Sequence, residues 1–333
     1  MGKKTALILA GAVAKGAFEA GVLEVLSEHL ERVPIVRIVA ASSGALNGAV
    51  YATGIRYGSE YLVARRLVAL WLHDANWHNV LKLSPLDILH GVGVGTADRL
   101  LPLLEKAVDD LPLVQQRPID LQLVLTVLKG QAGEIAGTAA TTFEHLAGFR
   151  DEQFDSKEGR AQVFDTALGS AAFPLLFSPV EVAGVGPCID GGVVNNTPIK
   201  RAIQGGGIER IIVVTPEPLG SPAPEPLRGA KLVTQLAEIL INERLYRDLR
   251  NAEAINGYLR ELDALSQRGV SRDNIQQVKD IFGWVPLDIV QIRPTRPLDG
   301  SAFSAFRNPA QVKAYVDAGR AAAGASLDTL LRY

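Results

Sequence analysis

One cysteine, Cys188, stands in the 333 residues, so no intrachain disulfide can form. A small disulfide-stapled scaffold is excluded, and a thiolate-built zinc site is disfavoured. Charge of one sign is also missing. Lys and Arg number 34 against 36 Asp and Glu, a net charge of -2, and no global basic field points to nucleic acid. The five histidines, His29, His73, His78, His90 and His145, show no close metal-ligand spacing and read as structural, so neither a metal nor a cofactor is expected. No apolar run reaches the length of about 18 residues that a membrane-crossing helix needs. The chain therefore reads as soluble and cytoplasmic, with any membrane contact peripheral.

What is present is the composition of an ordinary globular protein. With 47% hydrophobic residues the chain has ample material for one large α/β core. Thr5 to Ala14, ending in Ala12-Val13-Ala14, imitates a cleavable leader. It reads better as a buried strand, Ala6 to Leu9, because an amphipathic helix carrying Phe18, Val22, Val25, Leu26 and His29 follows directly. Val36 to Ala40 is a second strand, and Ala45, Leu46, Ala49 and Val50 mark a second helix stopped by Gly54. Two apolar strands joined by a helix form a βαβ unit, which implies a parallel sheet.

From Tyr57 to about Leu113 the pattern is mostly helical, including Thr96 to Leu111 behind a capping threonine. Gly91-Val92-Gly93-Val94-Gly95 lacks the spacing of a dinucleotide loop and reads as a plain loop. Leu121 to Leu128, Glu134 to Ala139, Val180 to Val182, Ile211 to Val214 and Leu287 to Ile292 read as strands. Val163 to Ala172 and Pro309 to Leu331 read as helical. The proline-rich stretch Thr215 to Gly229 is a loop or linker. Beyond it Leu245, Leu249, Ala252, Ile255, Leu259 and Leu262 form a helical stripe, which either packs on the body or joins two copies in a homodimer through about 232–264. The expectation is a single domain, 1–333, with helical insertions at about 57–113 and 229–268.

The turn Ala40-Ala41-Ser42-Ser43-Gly44 lies between the second strand and its helix. A serine that attacks an ester must be exposed yet held beside its base and its oxyanion donors. A strand-to-helix turn meets both needs, and small residues two positions either side of the serine permit the tight backbone. Here Ala40 and Gly44 supply them. Taken alone, the same turn also fits a serine that merely caps a helix.

A second constellation, Asp190-Gly191-Gly192 followed by Asn195-Asn196-Thr197-Pro198, offers a carboxylate on a tight loop, although Asp-Gly by itself is a hairpin signal. No histidine follows His145, so a triad ordered serine, acid, histidine is impossible with Asp190. An aspartate acting directly on the serine remains. Such a base starts about 2 to 3 units below imidazole, and an apolar, desolvated site would narrow the gap.

Four blocks in order carry a family resemblance: Leu9 to Leu23, Ala40 to Asn47, Ala167 to Pro179, and Asp190 to Pro198. Together they make the chain similar to the patatin-like phospholipases, lipid acyl hydrolases that use a Ser–Asp dyad. The resemblance implies an α/β three-layer sandwich with a mostly parallel central sheet flanked by helices. It implies a serine hydrolase of phospholipase A or esterase type, with Ser42 attacking the acyl carbon and Asp190 accepting its proton. It further implies an oxyanion hole from backbone N–H groups of Gly11, Ala12, Val13 and Ser43. Gly16, Ala40, Gly44, Gly191 and Gly192 support these loops. Lys15 matches a basic position of the family's loop and equally fits a lysine that braces it. Where the family has three successive glycines, this chain has Gly11-Ala12-Val13, which strains the turn if the third position needs a positive φ. That departure supports a second reading, a catalytically weak or inactive relative serving as a lipid-binding or interaction module.

Overall fold

The computed structural model describes residues 2–83, 95–135, 138–174, 176–218, 230–282, 284, 286–300 and 303–332. Strand β1 (Thr5–Ala10) is buried along its whole length, with Leu7 and Leu9 entering one core and Ala6 and Ile8 another. An apolar run without alternation is what a central parallel strand requires, since both of its faces are covered. Helix α1 (Gly16–Ser27) returns the chain to β2 (Ile35–Ala41), which pairs parallel with β1. Helix α2 (Ser43–Tyr57) follows and ends at Gly58 in the left-handed region, φ 66°. The expected βαβ unit is present, although α2 continues past Gly54.

Helix α3 (Glu60–Ala69) runs into a π-helical turn, Leu70–Asp74, and a short turn Trp77–Val80 comes next. Thr96 does not cap a helix. It pairs in a two-residue ladder, Lys82–Leu83 with Gly95–Thr96, and α4 (Leu101–Val108) starts only at Leu101, with Pro102 in its first turn where no N–H is needed. Gly91 to Val94 and most of the proline-rich stretch, 219–229, lie outside the described residues.

Strands β3 (Asp120–Ile135) and β4 (Thr138–Phe149) form one long antiparallel hairpin where two short strands were expected. Helix α5 (Lys157–Ser170) is capped by Ser156, whose hydroxyl accepts from the Gly159 N–H at 3.0 Å. Then come β5 (Val180–Val182), β6 (Gly186–Ile189), β7 (Arg210–Val214), α6 (Ala230–Gln267), α7 (Arg272–Phe282), β8 (Asp288–Ile292) and α8 (Pro309–Leu330).

The sheet order is β8-β7-β1-β2-β3-β6-β5, with β4 on β3 as well. The five strands from β8 to β3 are mutually parallel, and β4, β6 and β5 are added through antiparallel pairings, β4 and β6 on β3 and β5 on β6. One face carries α1, α2, α3 and α8 over the larger core. On the other, Ala6, Ile8, Val39, Ile211 and Val213 meet Ile199 and Ala202, with Leu249 and Ala252 of α6. Sheet between two helical layers is the three-layer α/β sandwich. The helical stripe of α6 thus has Leu249, Ala252 and Leu259 buried on the chain itself. Among the described residues no helix is long and apolar enough to cross a membrane.

Candidate active site

Strand β3 has two edges, and β4 occupies one of them. Along the other edge lie two strands that approach from opposite ends. Parallel β2 pairs over Asp120 to Leu123, and antiparallel β6 pairs at Thr126 and Val127. Their C-termini therefore face each other across a short gap. Ser42 leaves one and Asp190 leaves the other.

The Ser42 hydroxyl donates to Asp190 Oδ2 at 2.6 Å, and both residues are buried, Asp190 completely. The Ser42 side chain makes no capping bond to α2. Its backbone is held at φ 56°, ψ -138°, a strained conformation for a residue with a side chain and the mark of a sharp strand-to-helix turn. Gly44 makes that turn passable, since a Cβ there would stand 2.4 Å from the Leu9 carbonyl oxygen. Ala40 fills the other small position and is fully buried. Asp190-Gly191 is not a hairpin turn. Asp190 directly follows β6, and Gly191 presses on β3 so closely that a Cβ would lie 2.0 Å from the Val124 oxygen.

Further bonds fix Asp190 and the loop that follows it. Its Oδ1 accepts from the Gly192 N–H at 2.7 Å, its carbonyl accepts from the Thr126 hydroxyl at 2.8 Å, its N–H donates to Ala172 O at 2.9 Å, and the next N–H, of Gly191, donates to Ser170 O at 3.0 Å. Burial pushes the carboxyl up to about 7, against the lowering pull of the hydrogen bonds from Ser42 and Gly192. A carboxylate of that basicity is matched to proton transfer near neutral pH.

Ser170 bridges the gap between the strand ends. Its hydroxyl donates to Val124 O at 2.6 Å and accepts from the Ser42 N–H at 3.1 Å. Asn196 ties the two loops together by donating from Nδ2 to Gly11 O at 3.2 Å. Neither role is visible in the sequence, because the partners lie 46 to 185 residues away along the chain.

The four expected oxyanion donors divide into two pairs. The Gly11 N–H is directed to Ala41 O at 3.3 Å and the Ala12 N–H to the Ser43 hydroxyl at 3.1 Å. The N–H groups of Val13 and Ser43 donate to no group among the described residues, and both residues line the pocket with Ser42. Val13 has φ 53°, the positive value that the missing glycine would have favoured. Lys15 braces this turn, its Nζ pairing with Glu217 Oε1 at 2.5 Å in a largely buried ion pair. Gly16 packs against Ser43 and Trp71.

The pocket over Ser42 is almost wholly apolar. Leu67, Leu70, Trp71, Leu100, Leu104 and Phe173 are among its walls, and its polar residues are Ser42, Ser43, Asn47 and Asp190. Its empty space is about 640 Å³, counted with its open mouth. Among the described residues no group of three or more metal-ligating side chains gathers.

A three-layer α/β sandwich with a buried serine on a strand-to-helix turn, beneath an apolar pocket, is an architecture of the hydrolase class. The sequence profile described as Patatin-like phospholipase matches residues 7–203, and the chain belongs to that family of lipid ester hydrolases. No curated protein matches it. Among solved structures it is similar to VipD from Legionella pneumophila, at 13% identity and TM-score 0.40, over 98% of this chain and 67% of that one. It is also similar to a chain of the ExoU–SpcU complex from the type III secretion system of Pseudomonas aeruginosa, at 16% identity and TM-score 0.32, over 75% of this chain and 52% of that one. The chain thus spans about half the length of the latter.

Proposed function

We propose that the protein hydrolyses carboxylic esters of lipids through an acyl-enzyme on Ser42, with Asp190 as the base. The observation that carries this reading is the 2.6 Å contact between the Ser42 hydroxyl and the Asp190 carboxylate at the floor of an apolar pocket. As Ser42 Oγ attacks the carbonyl carbon, its proton passes to Asp190 Oδ2. The N–H groups of Val13 and Ser43 hold the oxyanion, each contributing about 3 to 4 kcal/mol by analogy with other oxyanion donors. Collapse expels the alcohol, which takes the proton from Asp190. A water then attacks the acyl carbon, gives its proton to Asp190, and the proton returns to Ser42 as the acid leaves.

The lining supports the substrate class. Much of the wall comes from Leu67, Leu70, Trp71, Leu100 and Leu104, which belong to the region expected to roof a groove for an acyl chain. An ester with a long acyl group fits such a wall better than a polar one. Such esters sit in lipid surfaces, so the reading gives the protein peripheral contact with a membrane from the cytoplasmic side.

The test is a fluorophosphonate probe together with esters from acetyl to palmitoyl. The expected result is an adduct on Ser42, lost in Asp190→Asn, with rates that rise toward longer chains. A protein that folds and binds lipid without forming the adduct belongs instead to the silent, lipid-binding alternative. A sharp preference for acetyl or butyryl esters overturns the phospholipase reading and leaves an esterase.

A further inference from the structure

From the pocket wall inward runs a polar chain of three buried side chains that the steps above do not use. The Trp71 indole N–H donates to Asn47 Oδ1 at 2.9 Å. Asn47 Nδ2 donates to Glu19 Oε2 at 2.8 Å and to the Gly16 carbonyl at 2.9 Å. Glu19 and Asn47 are fully buried, and Trp71 is 6% exposed. Buried polar groups are costly unless partnered, so a core that only needed filling would be apolar here.

The position of the indole matters more than the bonds. A Cβ placed on Gly16 would stand 2.9 Å from Trp71 Cζ2 and 2.8 Å from the Ser43 hydroxyl. Both atoms therefore touch the same point, and the benzo edge of Trp71 sits next to the residue that follows Ser42. Trp71 lines the pocket together with Ser42, Ser43 and Val13. It belongs to the π-helical turn Leu70–Asp74, in which the Ala75 N–H reaches back to Leu70 O at 2.9 Å. One wide turn shifts the helical register, a device frequent at functional sites. A ring at the edge of such a turn needs a second anchor, and Asn47 supplies it from α2, one turn beyond Ser43.

We propose that Trp71 discriminates among acyl groups by their substitution at the carbons next to the ester carbonyl, and that Glu19, acting through Asn47, is the positioning residue that holds it there. The proposal rests on the hydrolase reading of Ser42. Burial pushes the Glu19 carboxyl up to about 8, with the Asn47 hydrogen bond pulling the other way. At neutral pH it is thus an uncharged acid whose Oε2 accepts from Asn47. That oxygen fixes which way the Asn47 amide faces: Nδ2 toward Glu19 and Gly16, Oδ1 toward the indole. Without an acceptor at residue 19 the amide loses one of the three hydrogen bonds that orient it.

The experiment compares kcat/KM of the full chain on p-nitrophenyl butyrate and on its α-methyl-branched isomer, p-nitrophenyl isobutyrate. In wild type the branched ester should be the poorer substrate. Trp71→Ala should raise the branched-to-straight ratio about tenfold, the scale that one methyl group commands in an apolar pocket. Trp71→Phe keeps most of the ring and loses the N–H, and should raise the ratio about threefold. It serves as the second variant should the larger truncation not fold. Glu19→Ala should move the ratio as Trp71→Phe does, whereas Glu19→Gln, which keeps an oxygen acceptor, should restore it. A merely structural role predicts that both esters slow together at constant ratio. That outcome in an active enzyme overturns this assignment alone. A wild type that hydrolyses neither ester and forms no adduct on Ser42 overturns the hydrolase reading as well.

Discussion

Ser42 and Asp190 stand at the same height on the sheet, both level with Leu125 of β3. Ala40 pairs with Leu123 and Ile189 with Thr126, so extending the two ladders brings the first residue past each strand to Leu125 from opposite directions. Their 2.6 Å contact is therefore set by main-chain pairing along one edge, before any side-chain adjustment. A strand advances about 3.3 Å per residue, so a shift of one residue in either ladder would separate the pair beyond hydrogen-bond reach.

The rate should depend on pH through Asp190. The base must be ionised, and burial raises its carboxyl to about 7. We expect kcat/KM to rise about tenfold per pH unit on the acid side and to level off above neutrality, with its midpoint near that value. A pH–rate profile on a soluble ester measures it. A rate that stays flat down to pH 5 would exclude Asp190 as the base.

The same burial has a cost in stability, with a definite sign. Asp190, raised from 3.8 to about 7, and Glu19, raised from 4.5 to about 8, hold protons in the folded state that the unfolded chain has released. Their contribution is greatest below the ordinary carboxylate values and is lost as pH rises through the folded ones, at up to about 1.4 kcal/mol per unit and per group. Asp190→Asn and Glu19→Gln should therefore gain in Tm relative to wild type between pH 4 and pH 8. Thermal melts at the two pH values test this, and a constant Tm difference contradicts it.

Ser170→Ala should cost more than its size suggests. It leaves the Val124 carbonyl and the Ser42 N–H without their partner inside the protein, each worth about 1 to 3 kcal/mol when buried. We expect roughly 2 to 4 kcal/mol of lost stability by denaturant titration, with a fall in kcat that Ser170→Thr partly restores.

The oxyanion turn separates donors from supports. Val13→Gly keeps the N–H and suits φ 53°, so kcat should be retained or raised. Ser43→Ala keeps its own N–H and removes the acceptor that holds Ala12 at 3.1 Å, so kcat should fall about tenfold with KM little changed. Steady-state kinetics on one ester decide both. Loss of activity in Val13→Gly would mean that the valine side chain itself is required.

The first βαβ unit was legible because continuous apolar strands and a helical stripe are local patterns. Ser42 was legible through its small neighbours, and Asp190 through its glycines and the lack of any later histidine. The long β3–β4 hairpin was not, since its far half carries no clean alternation of apolar and polar residues. Thr96 looked like a cap because capping chemistry is common at any threonine before an apolar stretch, while the pairing partner that claimed it was elsewhere. The partition of Gly11, Ala12, Val13 and Ser43 depends on where each N–H points. That direction exists only once α2 and the turn are packed together.

The meeting of two strand ends on one edge also orders events in time. Ser42 and Asp190 come from positions 148 residues apart, and neither is placed until the strand before it pairs with β3. Pairings of such separation are late in folding, because the entropy of closing the chain must be overcome first. A nascent or partly unfolded chain thus carries a serine with no proton acceptor and no reactivity beyond that of any exposed hydroxyl. On the mechanism proposed above, the site is assembled only with the finished sheet, and an incomplete molecule has none.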